Sequence, residues 1–110
     1  MVTHNWTVTD DLIGLFMYNL KYKYNSDKLL SIAEVAKIIN VSEDSLKTKI
    51  RNYLYIDSDG QQGAPKYSPK SKRVYDIYNK HTELDMVMEI AEKNKEFLEY
   101  YKRLLTAKNK

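Results

Sequence analysis

The sequence contains no cysteine, which excludes disulfide bonds and thiolate ligands for a metal ion. With only three glycines it has no glycine-rich phosphate loop. Its two histidines, His4 and His81, do not stand at a metal-ligand spacing from an acidic residue or from each other. The common signatures of nucleotide-dependent and metal-dependent enzymes are therefore missing, and we expect a non-catalytic protein without a cofactor.

Long apolar runs are also missing, so the sequence predicts no membrane-spanning helix. The first residues, MVTHNWTVTDD, have neither the basic start nor the apolar core of a signal peptide. A length of 110 residues, 43% of them hydrophobic and 30% charged, fits a single soluble domain with one modest core. We expect it in the cytoplasm of a bacterium or of a host cell. The net charge of +3 is mild, so binding to a polyanion would depend on where the cations lie.

The stretch from Leu30 to Tyr55 has the pattern of two short helices joined by a tight turn. Ser31, with Glu34 three residues later, predicts an N-terminal capping box. Asn40 tolerates the left-handed conformation that ends a helix, and Ser42 is the predicted N-cap of the next one. The predicted buried stripe of the first helix comprises Ile32, Val35, Ala36 and Ile39.

The second helix of this pair has one apolar and one polar face. Its predicted buried residues are Leu46, Ile50, Tyr53 and Leu54, although Lys49 stands where a further apolar residue is expected. The opposite face carries Asp44, Lys47, Thr48, Arg51 and Tyr55, at about 100° per residue. This is the spacing of a helix-turn-helix, which places its second helix in the major groove of DNA. Ordinary helical hairpins inside all-α cores have the same spacing, so both interpretations stay open.

A long loop is predicted over residues 57–70, where turn-forming residues predominate. From Lys66 to Arg73 the chain carries four cations and no acid, with serines and a tyrosine between them. This basic loop is the segment best suited to contact phosphates, and an ordinary solvated loop is the alternative. Ser71 is the predicted cap of the helix that follows.

Two further helices complete the expected all-α fold of about five helices. The first runs from Leu12 to about Tyr24, behind a cap at Thr7 or Thr9, and its apolar character on several sides places it in the centre of the core. The last should run from about Glu83 to Leu105. A helix of about 22 residues spans about 33 Å, more than a domain of this size covers, so part of it would pair with a second copy.

One spaced set of residues resembles a known family. The set extends over about residues 6–90 and comprises Trp6, Asp11-Leu12, Tyr18, Ser45 to Tyr53, Asp57, Gly63, Ser71-Lys72 and Val74-Tyr75. Its order resembles the helical N-terminal region that precedes the nuclease domain in HNH-type restriction endonucleases, including McrA-like enzymes. In that region a Ser-Val-x-x-Lys-Leu-x-Asn-Phe segment is followed by an Asp, a Gly-Leu, and a Ser-Lys before a Val-Trp or Val-Tyr helix. The resemblance accounts for Lys49 and Asn52, which a generic helix-turn-helix does not.

The resemblance implies DNA recognition by the helical region, extending in that family to modified bases, with cleavage by a separate domain. No His-His, Asn and His set follows Leu105, so the nuclease activity does not carry over. The chain is then expected to act as a stand-alone binding module from a phage, a mobile element or a restriction-type system.

Three functional hypotheses are compatible with these observations. The first is binding of double-stranded DNA, which Glu43 and Asp44 oppose by repelling phosphate. The residues expected to contact DNA are Ser42, Lys47, Thr48, Arg51, Lys66, Lys70, Lys72 and Arg73. The second is an anti-defence, anti-CRISPR-like inhibitor that uses exposed tyrosines and the basic loop against a bacterial nuclease effector or its guide RNA. The third is a helical module that forms a homodimer through the Leu84 to Leu105 helix.

Overall fold

Helix α1 (Val8–Tyr22) lies in the centre of the molecule, and all its residues from 10 to 20 are buried. The computed structural model describes residues 5–24 and 30–108, in which all regular elements are helices. After α1 follow α2 (Ile32–Ile39), α3 (Glu43–Asp57), α4 (Pro69–Tyr78), α5 (Glu83–Lys93) and α6 (Lys95–Lys108). The predicted all-α fold is confirmed, with six helices in the described residues where about five were expected. None of these helices has the length and apolar character needed to cross a membrane.

A reciprocal capping box fixes the start of α1. Thr7 Oγ1 accepts from the N–H of Asp10 at 3.0 Å, and the Asp10 carboxylate accepts from the N–H of Thr7 at 3.3 Å. Because Thr7 and not Thr9 is the cap, the helix begins at Val8 and not at the predicted Leu12. Contacts with α3, α4 and α5 confirm the predicted central position of α1.

Helices α2 and α3 form the predicted pair joined by a tight turn. Asn40 takes the left-handed conformation, with φ 60° and ψ 50°, and the N–H of Val41 donates to the carbonyl of Ala36 at 2.9 Å. Ser42 Oγ then accepts from the N–H of Ser45 at 3.0 Å and starts α3. Asn40 and Ser42 therefore have the roles in the turn that the sequence predicted for them.

The buried face of α3 differs from the predicted one. Leu46 and Tyr53 are fully buried as predicted, but Ile50 and Leu54 are only half-buried. The other buried residues of this helix are Lys49, Asn52 and Ile56. Lys49 and Asn52 are buried because each has polar partners inside the protein. A pattern of apolar side chains does not reveal such a face, so the predicted buried face was displaced toward Ile50 and Leu54.

Helix α4 begins earlier than predicted, and most of the basic segment belongs to it. The connection from α3 covers residues 58–68, because Ser68 and not Ser71 is the cap. Ser68 Oγ accepts from the N–H of Ser71 at 3.1 Å. Pro69 favours this start, since its φ is fixed and it has no N–H to satisfy. The predicted loop over residues 57–70 is therefore wrong for Pro69 and Lys70, which lie in α4, whereas Lys72 and Arg73 follow the predicted cap and are helical as expected.

The predicted single helix from Glu83 to Leu105 is divided at Asn94. Asn94 has an extended backbone, with φ −140° and ψ 95°, and its Oδ1 accepts from the N–H of Phe97 at 2.9 Å. The asparagine side chain thus caps a new helix in place of continuing the old one. The division lets α6 pack against both α2 and α5, which one straight helix of that length would not do.

The tyrosines of α6 close the core and join α2. The ring of Tyr101 meets that of Phe16 edge-on, with 6.0 Å between the centroids. Tyr100 accepts at its phenol oxygen from the N–H of Ser31 at 2.9 Å. Ser31 Oγ accepts from the N–H of Glu34 at 3.2 Å as predicted, but the second half of the predicted capping box is replaced by this tyrosine.

The carboxylate of Asp57 joins α1, α3 and α4. It accepts from the hydroxyl of Tyr18 at 2.5 Å, from the hydroxyl of Tyr75, and from Lys23 Nζ at 2.9 Å. Burial raises the pKa of the carboxyl, but these three hydrogen bonds outweigh burial, and the pKa of Asp57 lies below its ordinary value. Burial and the hydrogen bond to Asp57 raise the pKa of both phenols, so they stay protonated donors.

Acid is expected to remove the stabilisation that Asp57 supplies. Because its folded-state pKa is lowered, this stabilisation is fully present above the unfolded-state pKa of about 3.9 and is lost as the pH falls through the folded-state value. Urea unfolding between about pH 5 and pH 2 should therefore show a smaller loss of stability in Asp57→Asn than in the wild type. Asp76→Asn, which removes an exposed carboxylate, is the control, and identical acid branches for wild type and Asp57→Asn would contradict the expectation.

Candidate nucleic-acid interface

The outward face of α3 carries three of the residues predicted to contact DNA. Lys47, Thr48 and Arg51 are all exposed, and one helical turn separates Lys47 from Arg51. The helix is about 22 Å long at 1.5 Å per residue, and a single α-helix fits the major groove of B-DNA. Glu43 and Asp44 are exposed at its first turn, so the N-terminal end of this face is acidic.

Ser42 and Lys66 flank α3 at two places. Ser42 Oγ accepts from the N–H of Ser45 and donates to Ser45 Oγ, both at 3.0 Å, so its hydroxyl holds the start of the helix. Lys66 is exposed, and its carbonyl accepts from Asn52 Nδ2 at 3.0 Å. This bond places the backbone of Lys66 beside α3, at its buried residue Asn52.

The cations of α4 have different surroundings. Lys70 Nζ donates to the carbonyl of Trp6 at 2.7 Å and thereby holds the segment that precedes α1. Lys72 Nζ lies 2.6 Å from the carboxylate of Asp76, one helical turn further on, in an exposed pair. Arg73 is exposed. The structure therefore directs the charges of two predicted contacts, Lys70 and Lys72, toward partners within the chain.

Behind the outward face, Lys49 is the centre of a buried polar cluster. Its side chain is only 8% exposed, and Nζ lies 3.1 Å from Asp11 Oδ1. It donates to Ser71 Oγ at 2.8 Å and lies 4.6 Å from the ring centroid of Trp6, a cation–π distance. The ammonium group thus has a charged, a polar and an aromatic partner from different parts of the fold.

Asp11 supplies the negative charge of this cluster from α1. It is fully buried, and its Oδ1 also accepts from Ser71 Oγ at 2.6 Å and from the hydroxyl of Tyr53 at 2.9 Å. Its Oδ2 has no hydrogen-bond partner among residues 5–24 and 30–108. Residues of α1, α3 and α4 meet here, so the cluster fixes the rotation of α3 about its axis and directs Lys47 and Arg51 outward.

Gly14 makes room for Lys49 against α1. A Cβ atom at this position would lie 2.9 Å from Lys49 Cγ, closer than real Cβ contacts allow without a shift. The cluster was missed from the sequence, although two signals were present. Lys49 interrupts an apolar stripe, and Asp11 opens a helix that is otherwise apolar on several sides, so the two could have been paired.

The contact between Ser71 and Lys49 also has the form of a serine activated by a lysine base. Ser71 is completely buried, so no substrate reaches its hydroxyl in this structure. In residues 5–24 and 30–108, no three acidic or histidine side chains lie close enough to hold a metal ion. We therefore interpret the polar cluster as a structural element that holds α3 in place.

A groove of about 500 Å³ opens between α1, α2 and α3. Its apolar lining residues are Met17, Leu20, Leu30, Ile32, Ile50 and Leu54. Lys21, Lys47 and Arg51 also line it, and all three are exposed. None of the described lining residues is acidic, so the groove combines an apolar wall with a positive edge.

Helix α5 has large apolar side chains in solvent. Leu84 is 67% exposed and Met88 is 60% exposed, one helical turn apart. Ile77, near the end of α4, is 63% exposed. Leu84 and Met88 belong to the Leu84 to Leu105 segment for which the sequence predicted pairing with a second copy, and Ile77 lies outside that segment.

Comparison with known proteins gives no relative: no protein-family model, no curated protein and no solved structure matches the chain. The resemblance to the helical region of HNH-type restriction endonucleases therefore stays a prediction from the residue pattern.

Proposed function

We propose that this protein is a non-catalytic DNA-binding protein that places α3 in the major groove of double-stranded DNA. The observation that carries the proposal is the α2–turn–α3 unit, in which Asn40 forms the left-handed turn and Lys47, Thr48 and Arg51 share the outward face of the second helix. The buried cluster around Lys49 holds α3 from the opposite side. Such support matters because side chains that recognise nucleobases must be held in a fixed position.

Each exposed residue has a role that its chemistry suits. Arg51 and Lys47 would donate to guanine O6 and N7 or to phosphates, and Thr48 would contact a base edge or a thymine methyl group. Lys66, beside α3, and Arg73 would contact phosphates and fix the position on the duplex. Asp44 would accept from cytosine N4, or else repel the backbone and limit which sequences are bound.

Charge reversal on α3 is the test of this function. Lys47→Glu with Arg51→Glu is expected to weaken binding to a duplex by at least about 30-fold, since two contacts are lost and each is worth about 1–3 kcal/mol. The measurement is fluorescence anisotropy with a labelled random-sequence duplex, repeated between about 50 and 200 mM salt, over which wild-type affinity should fall steeply.

The control has the same change in charge away from α3. Lys80→Glu with Lys93→Glu reverses two exposed cations, one in the turn after α4 and one at the end of α5, and should weaken binding only slightly. An equal loss in both double variants would mean that net charge and not α3 governs binding. A wild-type protein that binds no duplex at low salt would refute the proposal, and capture of a nuclease effector without affinity for free DNA would favour the inhibitor hypothesis.

The exposed apolar pair on α5 favours self-association as a second property. Leu84 and Met88 are suited to a small helix–helix contact between two copies, and dimeric helix-turn-helix proteins bind paired half-sites on DNA. Light scattering across a dilution series tests this, and a monomer at every concentration would contradict it.

A further inference from the structure

The groove between α1, α2 and α3 shares two cations with the face proposed to contact DNA. Lys47 and Arg51 line the groove from α3, and Lys21 lines it from α1. Because Lys47 and Arg51 are exposed, their side chains can turn either to a ligand in the groove or to a nucleic acid on the outward face. The two sites would then compete for the same charges.

The composition of the groove defines the ligand that fits it. Met17 and Leu20 are buried, Ile50 is half-buried beside them, and together they form an apolar wall. Three cations at the edge, with no acid among the described lining residues, complement one anionic head group. A ligand with an apolar body and a negatively charged end can contact both the apolar wall and the cations. A neutral or cationic apolar ligand can contact only the apolar wall.

We propose that this groove binds a medium-chain fatty acid and that the bound acid displaces DNA from α3. The carboxylate would accept from Lys21, Lys47 and Arg51, and the alkyl chain would lie on the apolar wall. The volume of about 500 Å³ is in the range of small-molecule sites. The displacement of DNA rests on the proposed function, but the binding of the acid does not.

Binding of the acid is tested first, without DNA, by calorimetric titration of the full chain with decanoate. Saturable binding is expected for decanoate and not for decyltrimethylammonium, which has the same tail and a positive head. Lys21→Gln should weaken decanoate binding by about tenfold, because a charge-assisted hydrogen bond is lost, and the matched variant Lys80→Gln should leave it unchanged.

A second variant fills the groove and leaves its cations in place. Ile50→Trp extends a half-buried side chain into the open volume and should abolish saturable binding of decanoate. Thermal unfolding shows whether this variant is folded, and Lys21→Gln remains the test if it is not. No saturable binding to the wild type, or equal binding of decanoate and decyltrimethylammonium, would overturn the assignment of the groove.

Competition is measured next by anisotropy with a labelled duplex. Saturating decanoate should weaken DNA binding by at least tenfold in the wild type, whereas Lys21→Gln should bind DNA normally and need about tenfold more decanoate for displacement. If decanoate binds and DNA does not, the proposed function fails and the site stands. If DNA binds and decanoate does not, the site fails and the function stands. If both bind together without mutual effect, the proposed displacement is overturned.

Discussion

Replacement of Asp11 by alanine is expected to lower the free energy of unfolding by about 3–5 kcal/mol, because it leaves the buried Lys49 ammonium without its counter-charge. Tyr53 and Ser71 lose an acceptor in the same change. Since a domain of this size has a total stability of about 5–15 kcal/mol, a large share of the fold's stability depends on one carboxylate. Urea unfolding at neutral pH measures the effect.

A double-mutant cycle separates the ion pair from the rest of the cluster. Lys49→Met keeps the length of the side chain without its charge, so Asp11→Ala with Lys49→Met should be less destabilised than the sum of the two single variants. Asp44→Ala, at an exposed acid of α3, is the matched control and should change stability by about 0.5 kcal/mol or less. Strict additivity in the cycle, or an Asp11→Ala variant as stable as Asp44→Ala, would contradict the coupling.

The second large effect is expected at Gly63, where alanine should lower the free energy of unfolding by at least about 2 kcal/mol. Gly63 has φ +96°, and a Cβ atom there would lie 2.4 Å from the carbonyl oxygen of Arg51 and 2.6 Å from the backbone nitrogen of Tyr55. These are backbone atoms of α3, so neither can move aside as a flexible side chain would. The N–H of Ala64, which donates to the same Arg51 carbonyl at 3.0 Å, would be displaced with the loop.

Gly60 provides the matched control for this substitution. It has a similar φ of +82°, but the three atoms nearest to a Cβ there belong to the side chain of Tyr55, the closest at 3.3 Å. Gly60→Ala therefore introduces the strain of a positive φ without an overlap with backbone atoms. The difference between the free energies of unfolding of the two variants, measured in urea, gives the effect of the overlap. Equal losses of stability would show that strain alone acts. Because the displaced loop carries Lys66, we also expect Gly63→Ala to weaken DNA binding and Gly60→Ala to affect it less.

The helix cap and the turn of the candidate site could be predicted from the sequence, because they depend on short-range hydrogen bonds. Ser42 caps α3 and Asn40 forms the left-handed turn, because both depend on hydrogen bonds within a few residues. The same reasoning failed at Ser71 and at Asn94. At Ser71 a neighbouring serine and Pro69 offered a better helix start, and at Asn94 a polar side chain competed with the continuing helix.

By itself the sequence determined the all-α class, the turn between α2 and α3, and the exposure of Lys47, Thr48 and Arg51, since helix periodicity and capping act over a few residues. Only the tertiary structure decided which of the other cations are held by partners within the chain. Lys49 and Lys70 have the same side chain as Lys47, but the carboxylate of Asp11 and the carbonyl of Trp6 hold them in or near the core. These partners are 38 and 64 residues away in the sequence, and a pattern of hydrophobicity along the chain has no means of pairing charges across such separations.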